Sequence, residues 1–511
     1  MKKNLLFYTF IIILAVIGFQ YWIVLDEQKA HPSEEWSRSL PATVDAGDYS
    51  KMQIVPTEEG TGISLFNFKK MDYLECSENM QCTKKWTNSE LNPYKNTWSD
   101  GDKTYFINKE DSLVLSTANA NPITISPNVE NFAISGDTLI YWLKDKQILV
   151  QQGVHEPVTF TPEYPVHTAV ISDGHVFIVT RNTQENRFAL LDGTNDFKEL
   201  FQFHLNPSEN LTSMSITKAN DDQFTFLLDT EIISGGARKK VIRNASFNLD
   251  ENQAPEMKEI AFADQETGSK LTDIRNPVIY ESEDGLQITF SAYMVDATGE
   301  KVNKVFAGKY DEEFIEALAV TKKGDLYIQP LFVDDQTIAY FKTNGKEKQL
   351  MYSSSVEEVR DETANGLKGD TKEAFYNLLT LLFNGFLLVL LSITWLIPAL
   401  GIGYGTVAVL QKTRNPHAHL IAWWAGTIAM FASQLVLFAT AFHPDRIVVA
   451  SPFLTEVWQV LLLIVITLVL SLLPLFLTRT KVTYDNFNPV ILYTFGMNLV
   501  ILFLLIGPYF L

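Results

Sequence analysis

The sequence predicts a membrane protein that joins an all-β extracytoplasmic domain to an α-helical transmembrane domain. Three observations carry this prediction. An apolar run of 21 residues lies near the start, a turn-plus-strand pattern recurs through the middle, and four further apolar stretches close the chain.

The first run, Leu5 to Leu25, is broken only by Thr9, Gly18 and Gln20. At 1.5 Å per residue it reaches about 30 Å, the thickness of a bilayer core. Lys2 and Lys3 precede it, and Asp26 and Glu27 follow it. That asymmetry places residues 1–4 in the cytoplasm and everything beyond Leu25 outside. A cleaved secretory signal is the competing reading. It has a shorter apolar region and a small-residue cleavage site. Tyr21, Trp22, Ile23, Val24 and Leu25 end this run with no A-x-A pattern behind them, which favours an uncleaved signal anchor over residues 5–25. Either reading exports the next domain, residues 26–360.

Charge divides unevenly along the chain. The whole carries 41 Lys and Arg against 60 Asp and Glu. Setting aside Lys2, Lys3 and the five basic and three acidic residues beyond Asn377 leaves 34 basic and 57 acidic, a net of −23. Such a surface repels nucleic acid and other polyanions. It suits cationic or neutral partners, or solubility alone.

The two cysteines, Cys76 and Cys82, both fall in the exported part. Five residues between them read as a turn, so the pair sits across the end of a hairpin. Outside the cytoplasm a disulfide is the natural state. A metal site would need further ligands nearby, and a redox pair is more often C-x-x-C. The expectation is a structural staple, which in a ring this small adds roughly 2 kcal/mol by loop entropy.

In the exported part, polar turns lead repeatedly into short apolar strands. Asp100-Gly101 precedes Thr104–Ile107, Gly136-Asp137 precedes Thr138–Trp142, and Asp173-Gly174 precedes His175–Val179. Asp221-Asp222 precedes Phe224–Leu227, Asp284-Gly285 precedes Leu286–Phe290, Gly324-Asp325 precedes Leu326–Ile328, and Asp334-Asp335 precedes Thr337–Tyr340. Asp and Gly tolerate turn dihedrals, and β-branched or aromatic residues fill the following strand. The units average one per roughly 40–47 residues, the period of a four-stranded propeller blade. Six to eight blades would fill residues 45–360. A pair of β-sandwiches is the structural competitor. The pattern resembles the β-propeller superfamily, in the loose manner of WD-repeat and TolB-like proteins. The resemblance is at the level of fold: the WD dipeptide is missing and the spacing is uneven.

Residues 361–376 (DETANGLKGD and its continuation) read as a linker. Residues 377–511 then form a four-helix transmembrane domain. Its stretches run from Asn377 to Leu410, Leu420 to Phe442, Val457 to Leu477, and Pro489 to Leu511. The first exceeds one perpendicular span, and Pro398 with Gly401, Gly403 and Gly405 suggests a kink or close helix packing there. With the β domain outside, the inner loops carry Lys412 with Arg414, and Arg479 with Lys481, as the positive-inside rule requires. The expected topology is five spans, N-terminus in and C-terminus out, in a bacterial plasma membrane. Trp423, Trp424 and Trp458 fall near the expected interfaces. No Asp, Glu, Lys or Arg lies within any span, which argues against an ion-coupled carrier. Asn384, Gln434 and Asn498 are candidates for hydrogen bonds between helices.

Catalytic, phosphate-binding, dinucleotide and metal motifs are missing. Asp192–Asp196 does not fit the EF-hand pattern. His417 and His419 lack a third ligand beside them and read as an interfacial loop. No catalytic, cofactor or metal residue is assigned. The expected function is an extracytoplasmic recognition or scaffold protein, a sensor or an accessory subunit of envelope assembly or export. Its partners would be the bilayer and a membrane or envelope protein, with no nucleic acid and no cofactor. The alternatives are an envelope enzyme with its site on propeller loops, and a transporter component capped by the β domain.

Overall fold

A computed structural model describes residues 3–44, 47–57, 60–67, 69–77, 79–92, 95–117, 120–153, 155–194, 197–220, 223–250, 254–296 and 299–510. Lys2, Asn195, Asp196, Asp221, Asp222 and Leu511, singled out above, lie outside these ranges. The chain forms two units, a β unit of His31–Val295 with Lys301–Ala364, and a helical unit made from the residues up to Ala30 and those from Asn365 onward.

The β unit is a seven-bladed propeller. Six of its sheets have four strands and one has five, and each sheet consists of strands consecutive in sequence apart from two joins. Blades one to six cover residues 51–88, 97–126, 129–160, 166–204, 209–259 and 261–319. The sixth gains a fifth strand because Ala261–Asp264 pairs in parallel with Phe314–Ala319. Blade seven takes three strands from residues 326–354, and its fourth is Leu40–Pro41, from before blade one.

The turn-plus-strand pattern marks one recurring place, the hairpin between the first and second strand of a blade. It does so in blades two to four and six, in blade five between Asn220 and Gln223, and at Asp334-Asp335 in blade seven, whereas Gly324-Asp325 precedes the first strand of blade seven. Blade one has the same hairpin at Thr57–Gly60, where acidic residues again precede glycine. The wide spacing after Asp221 has a simple cause: the first three strands of blade five are each 12 residues long.

The second strands are apolar on both faces, because each lies between two neighbouring blades. In Thr138–Leu143, Leu139 and Tyr141 pack toward blade two, while Ile140 and Trp142 pack toward blade four. In Thr337–Thr343, Ile338 and Tyr340 face blade six, and Ala339 and Phe341 face blade one. Period-2 geometry sends successive side chains to opposite faces, so a strand with two apolar neighbours is mainly apolar on both. One apolar cluster fills each of the seven blade interfaces. Seven phenylalanines make the largest share of that between blades four and five.

Residues 36–44 close the ring. The Ser37 amide donates to the Ser354 carbonyl at 2.9 Å, and the Ser354 amide donates to Ser37 Oγ at 2.9 Å. Tyr340, fully buried, donates its hydroxyl to Ser39 Oγ at 2.7 Å. On the far side of this segment the Cys82 amide donates to Thr43 Oγ1 at 2.7 Å. Cys76 and Cys82 form a disulfide across the third-to-fourth-strand hairpin of blade one. The disulfide therefore lies in the interface between blades seven and one, beside Ala42 and Leu350.

The expected linker is mostly ordered. Helix α2, Glu357–Ala364, belongs to the β unit, where Arg38 donates to the Thr363 carbonyl at 3.4 Å. In the helical unit, α1 covers Lys3–Lys29 and α3 begins at Asp370. The apolar stretch from Asn377 is divided among α3 (Asp370–Asn384), α4 (Phe386–Leu391) and α5 (Ile393–Lys412). Four more helices follow: α6 (Ala418–Thr440), α7 (Pro444–Ala450), α8 (Val457–Leu477) and α9 (Phe487–Leu505). Among the described residues, six helical segments are long and apolar enough to cross a membrane, one more than the sequence suggested. The extra one arises because the Asn377–Leu410 stretch is bent at Gly385 and Ser392. Both residues keep right-handed helical dihedrals. Hydrogen bonds from Gly385 to Leu381, Ser392 to Leu388 and Leu396 to Ser392 carry the helix through both bends without reversing it.

Helix contacts within this unit rest on glycine. A Cβ on Gly403 would sit 2.9 Å from Ile491 Cδ1, and one on Gly426 would sit 3.2 Å from the Ala399 carbonyl and 3.3 Å from Gly403 Cα. Gly401 and Gly405 face open space, and Pro398 lies within α5. A second close approach brings Gly385 against Gly507. Gln434 donates to Asn498 at 2.6 Å, joining α6 to α9 in a fully buried position. Asn384 is half-buried at the end of α3. Trp423 is buried and donates to Thr494 at 3.0 Å, while Trp424 and Trp458 are exposed.

Two outcomes follow. Trp36 is 6% exposed and packs among residues of blades six and seven. Trp36→Ala is expected to destabilise the propeller by about 3–5 kcal/mol, read as a shifted denaturant midpoint of the full chain in detergent. In the helical unit, Gly426→Val should cost about 1–3 kcal/mol through overpacking, whereas Gly401→Ala should be neutral; thermal unfolding of the two variants side by side checks the contrast.

Candidate functional site

The innermost strands of the blades surround the propeller axis, and they enclose a cavity. It measures about 420 Å³ and is lined by first strands of blades one, two, three, six and seven. Its walls are mainly apolar and aromatic: Trp98, Phe132, Tyr280 and Phe332 contribute the large rings. Tyr280 and Phe332 stack with centroids 5.0 Å apart. Gln53, Asn96 and Thr97 supply uncharged polar groups, and Lys51 is the single charged residue on the wall.

Several features place Lys51 there. It opens the first strand of blade one, with Met52 buried beside it and Gln53 back on the channel side. The strand is fixed by blade seven, where Gln329 donates to the Ser50 carbonyl at 2.7 Å. Gln329 holds a left-handed φ of +54° at a bulge between Ile328 and Leu331, immediately before Pro330. A non-glycine residue in that conformation costs of order 1 kcal/mol and persists only where its surroundings impose it.

The Lys51 side chain is exposed on the channel wall, with the strands of neighbouring blades around it. Burial lowers its pKa below the ordinary lysine value, and no neighbouring carboxylate offsets the shift. Among the described residues no acidic group pairs with it. An isolated ammonium in such a site lacks a counter-charge, and an incoming anion would supply one.

The channel continues into a groove of about 890 Å³ that shares Gln53, Ile54, Trp98 and Ile134 with the cavity. Asp100 and Asp137 stand at this groove, on the first-to-second-strand hairpins of blades two and three. Since every first strand runs the same way, all such hairpins lie at one end. That end also carries Asp173, Glu283, Asp284, Asp334 and Asp335. Lys51, at the start of its strand, lies toward the other end. The field therefore repels anions from the acidic mouth and leaves Lys51 facing the opposite opening.

The residues singled out from sequence sit elsewhere. Cys76 and Cys82 are structural, and Gly401, Gly403, Gly405 and Pro398 belong to α5. His419 packs against Tyr484 and Phe487, with centroids 5.2 and 5.5 Å away, rather than joining His417 in a ligand pair. Among the described residues no three His, Cys, Asp or Glu side chains gather as a metal site. Lys51 was not visible from sequence. Its one signal is a lysine opening a mainly apolar strand, KMQIV, just before the blade-one hairpin, which the turn pattern did not include.

No known family pattern matches the chain, and no curated protein matches it. Solved propeller structures do resemble it. The N-terminal domain of Nup159 is 12% identical, with 63% of this chain and 96% of that chain covered and a TM-score of 0.36. The AfRom2 CNH domain is 10% identical, covering 62% and 98%, with the same TM-score of 0.36. A protein of unknown function from Dyadobacter fermentans DSM 18053 is 8% identical, covering 63% and 97%, with a TM-score of 0.35. The seven closed sheets themselves define the fold as a β-propeller, joined to a unit of long apolar helices.

Lys51 also makes a prediction about stability. Its folded-state pKa lies below the ordinary lysine value of 10.5, so between those two values the unfolded chain binds more protons and stability rises with pH. Lys51→Met removes that dependence. The variant is expected to be more stable than the wild type near neutral pH, with the gap closing toward about pH 10. Paired thermal melts across pH check both the sign and the convergence.

Proposed function

We propose that this chain is a membrane-anchored recognition protein whose propeller channel receives a small acidic ligand carried on an apolar or aromatic body. The carrying observation is Lys51, a lone cation on an otherwise uncharged aromatic wall in a cavity of about 420 Å³. That volume is in the range of small-ligand sites, where apolar walls bind and a few polar groups orient. In the cell the protein serves as a sensor or as an accessory subunit of an envelope assembly or export system.

The reading includes five membrane crossings in a bacterial plasma membrane, N-terminus in, propeller outside and C-terminus out. Directions within the helical unit support five. Thr9 meets Tyr493 at 2.7 Å and Gln20 meets the Leu505 carbonyl at 3.3 Å, so α1 and α9 run alike. The α3–α4–α5 rod runs the other way as one pass: Glu373 accepts from Gln28 at 2.8 Å near its start, and Tyr404 packs on Phe487 near its end. Then α6 and α8 supply one pass each, and the loops with Lys412, Arg414, Arg479 and Lys481 fall on the inner side.

The test uses the full chain in detergent and two isosteres, indole-3-acetate and indole-3-acetamide, followed by thermal shift. The acid is expected to raise the melting temperature more than the amide, and Lys51→Met is expected to erase the difference. The effect should fade as pH rises and Lys51 loses its proton. Equal shifts from acid and amide, or an unchanged difference in Lys51→Met, would overturn the reading.

A further inference from the structure

Two apolar grooves flank the short connection from α8 to α9. One, of about 670 Å³, lies among Leu5 of α1, Leu475 of α8 and Pro489, Val490 and Tyr493 of α9. The other, of about 560 Å³, lies against Leu420, Trp423 and Trp424 of α6. Leu475, Thr480, Lys481 and Thr483 line both. Lys481 thus stands on a ridge between the grooves, with Arg479 on the side of the first.

The ridge is built, not loose. Thr480 donates its amide to the Leu475 carbonyl at 3.0 Å. Asn486 donates to the Lys481 carbonyl at 2.7 Å and accepts from the Thr483 amide at 2.8 Å. Arg479 takes a left-handed φ of +49°, which turns the chain sharply after α8. No carboxylate lines either groove, and among the described residues neither Arg479 nor Lys481 forms an ion pair. Thr483 adds a hydroxyl beside the two cations.

We propose that this ridge and its grooves hold an anionic phospholipid, with its phosphate on Arg479 and Lys481 and its acyl chains along the grooves. The proposal rests on the reading of these helices as membrane-spanning. Charge complementarity selects the occupant. The groove walls are surfaces of helices long and apolar enough to cross a bilayer, which match acyl chains, and the grooves end at two unpaired cations. Basic pockets between membrane helices bind anionic headgroups in this manner. A zwitterionic lipid brings its own ammonium against the same cations and is disfavoured. Free phosphate gains nothing from the grooves.

The full chain is reconstituted in nanodiscs containing phosphatidylglycerol and phosphatidylcholine, extracted in mild detergent, and its retained lipid counted by native mass spectrometry. Phosphatidylglycerol is expected to be retained over phosphatidylcholine. Arg479→Gln with Lys481→Gln should lower that preference about tenfold, while Lys412→Gln with Arg414→Gln, on the neighbouring connection, should leave it within about twofold. Inorganic phosphate should not displace the lipid. Should the first double variant fail to fold, phosphatidylglycerol with a photoreactive acyl chain on the wild type gives the same decision. Labelling at Leu5, within residues 420–424 or within residues 475–493 supports the site, and labelling elsewhere overturns it. Equal retention of the two lipids, equal loss in both double variants, or displacement by inorganic phosphate would each overturn it as well. A membrane reading that is itself wrong shows differently: the chain would stay soluble without detergent.

Discussion

The closure of the ring is the constraint on which the β unit depends. Seven sheets packed face to face leave one seam, between blade seven and blade one. Here the seam is held by a segment from before blade one. Leu40–Pro41 completes blade seven, Thr43 clasps Cys82 of blade one, and Trp36 fills the adjoining interface between blades six and seven. The disulfide stiffens the hairpin that receives the clasp. Stability and closure are therefore the same problem, since opening the seam exposes two apolar sheet faces at once.

The same geometry produces the candidate site. Second strands are buried on both faces and are mainly apolar, with their few buried polar groups, such as Asp229 and Thr289, held by hydrogen bonds. First strands have one face toward the axis, where no neighbour fills the space. A side chain there can sit among neighbouring blades without being packed against them. Lys51 occupies this place, held through the Gln329 contact to Ser50. An amine so placed is costly to charge and gains from an anion, so its energetics and its proposed use have one origin.

The helical unit follows other rules. Its helices are apolar on nearly every face, so what sets their pairing is close backbone approach and buried hydrogen bonds. Gly403 with Gly426, Gly385 with Gly507, and Gln434 with Asn498 are the contacts of this kind. The bends at Gly385 and Ser392 let one long rod follow its neighbours, and the cations gather where α8 turns into α9.

The sequence by itself determined the class of each unit, the disulfide pair and the period of the blades. These depend on local chemistry: apolar length, turn residues and cysteine spacing each leave a mark on neighbouring residues. It did not determine the blade number, because uneven strand lengths in blade five blur the period and because the last blade borrows Leu40–Pro41 from some 300 residues away. Glycine packing shows the same division. The run Gly401, Gly403, Gly405 was legible, but which of them meets a partner depends on the rotation of α5 against α6, and only Gly403 does. Lys51 was legible as a residue and not as a site. Its setting comes from four strands of other blades that meet its own around the axis, and an arrangement so distant in sequence exists only once the ring has closed.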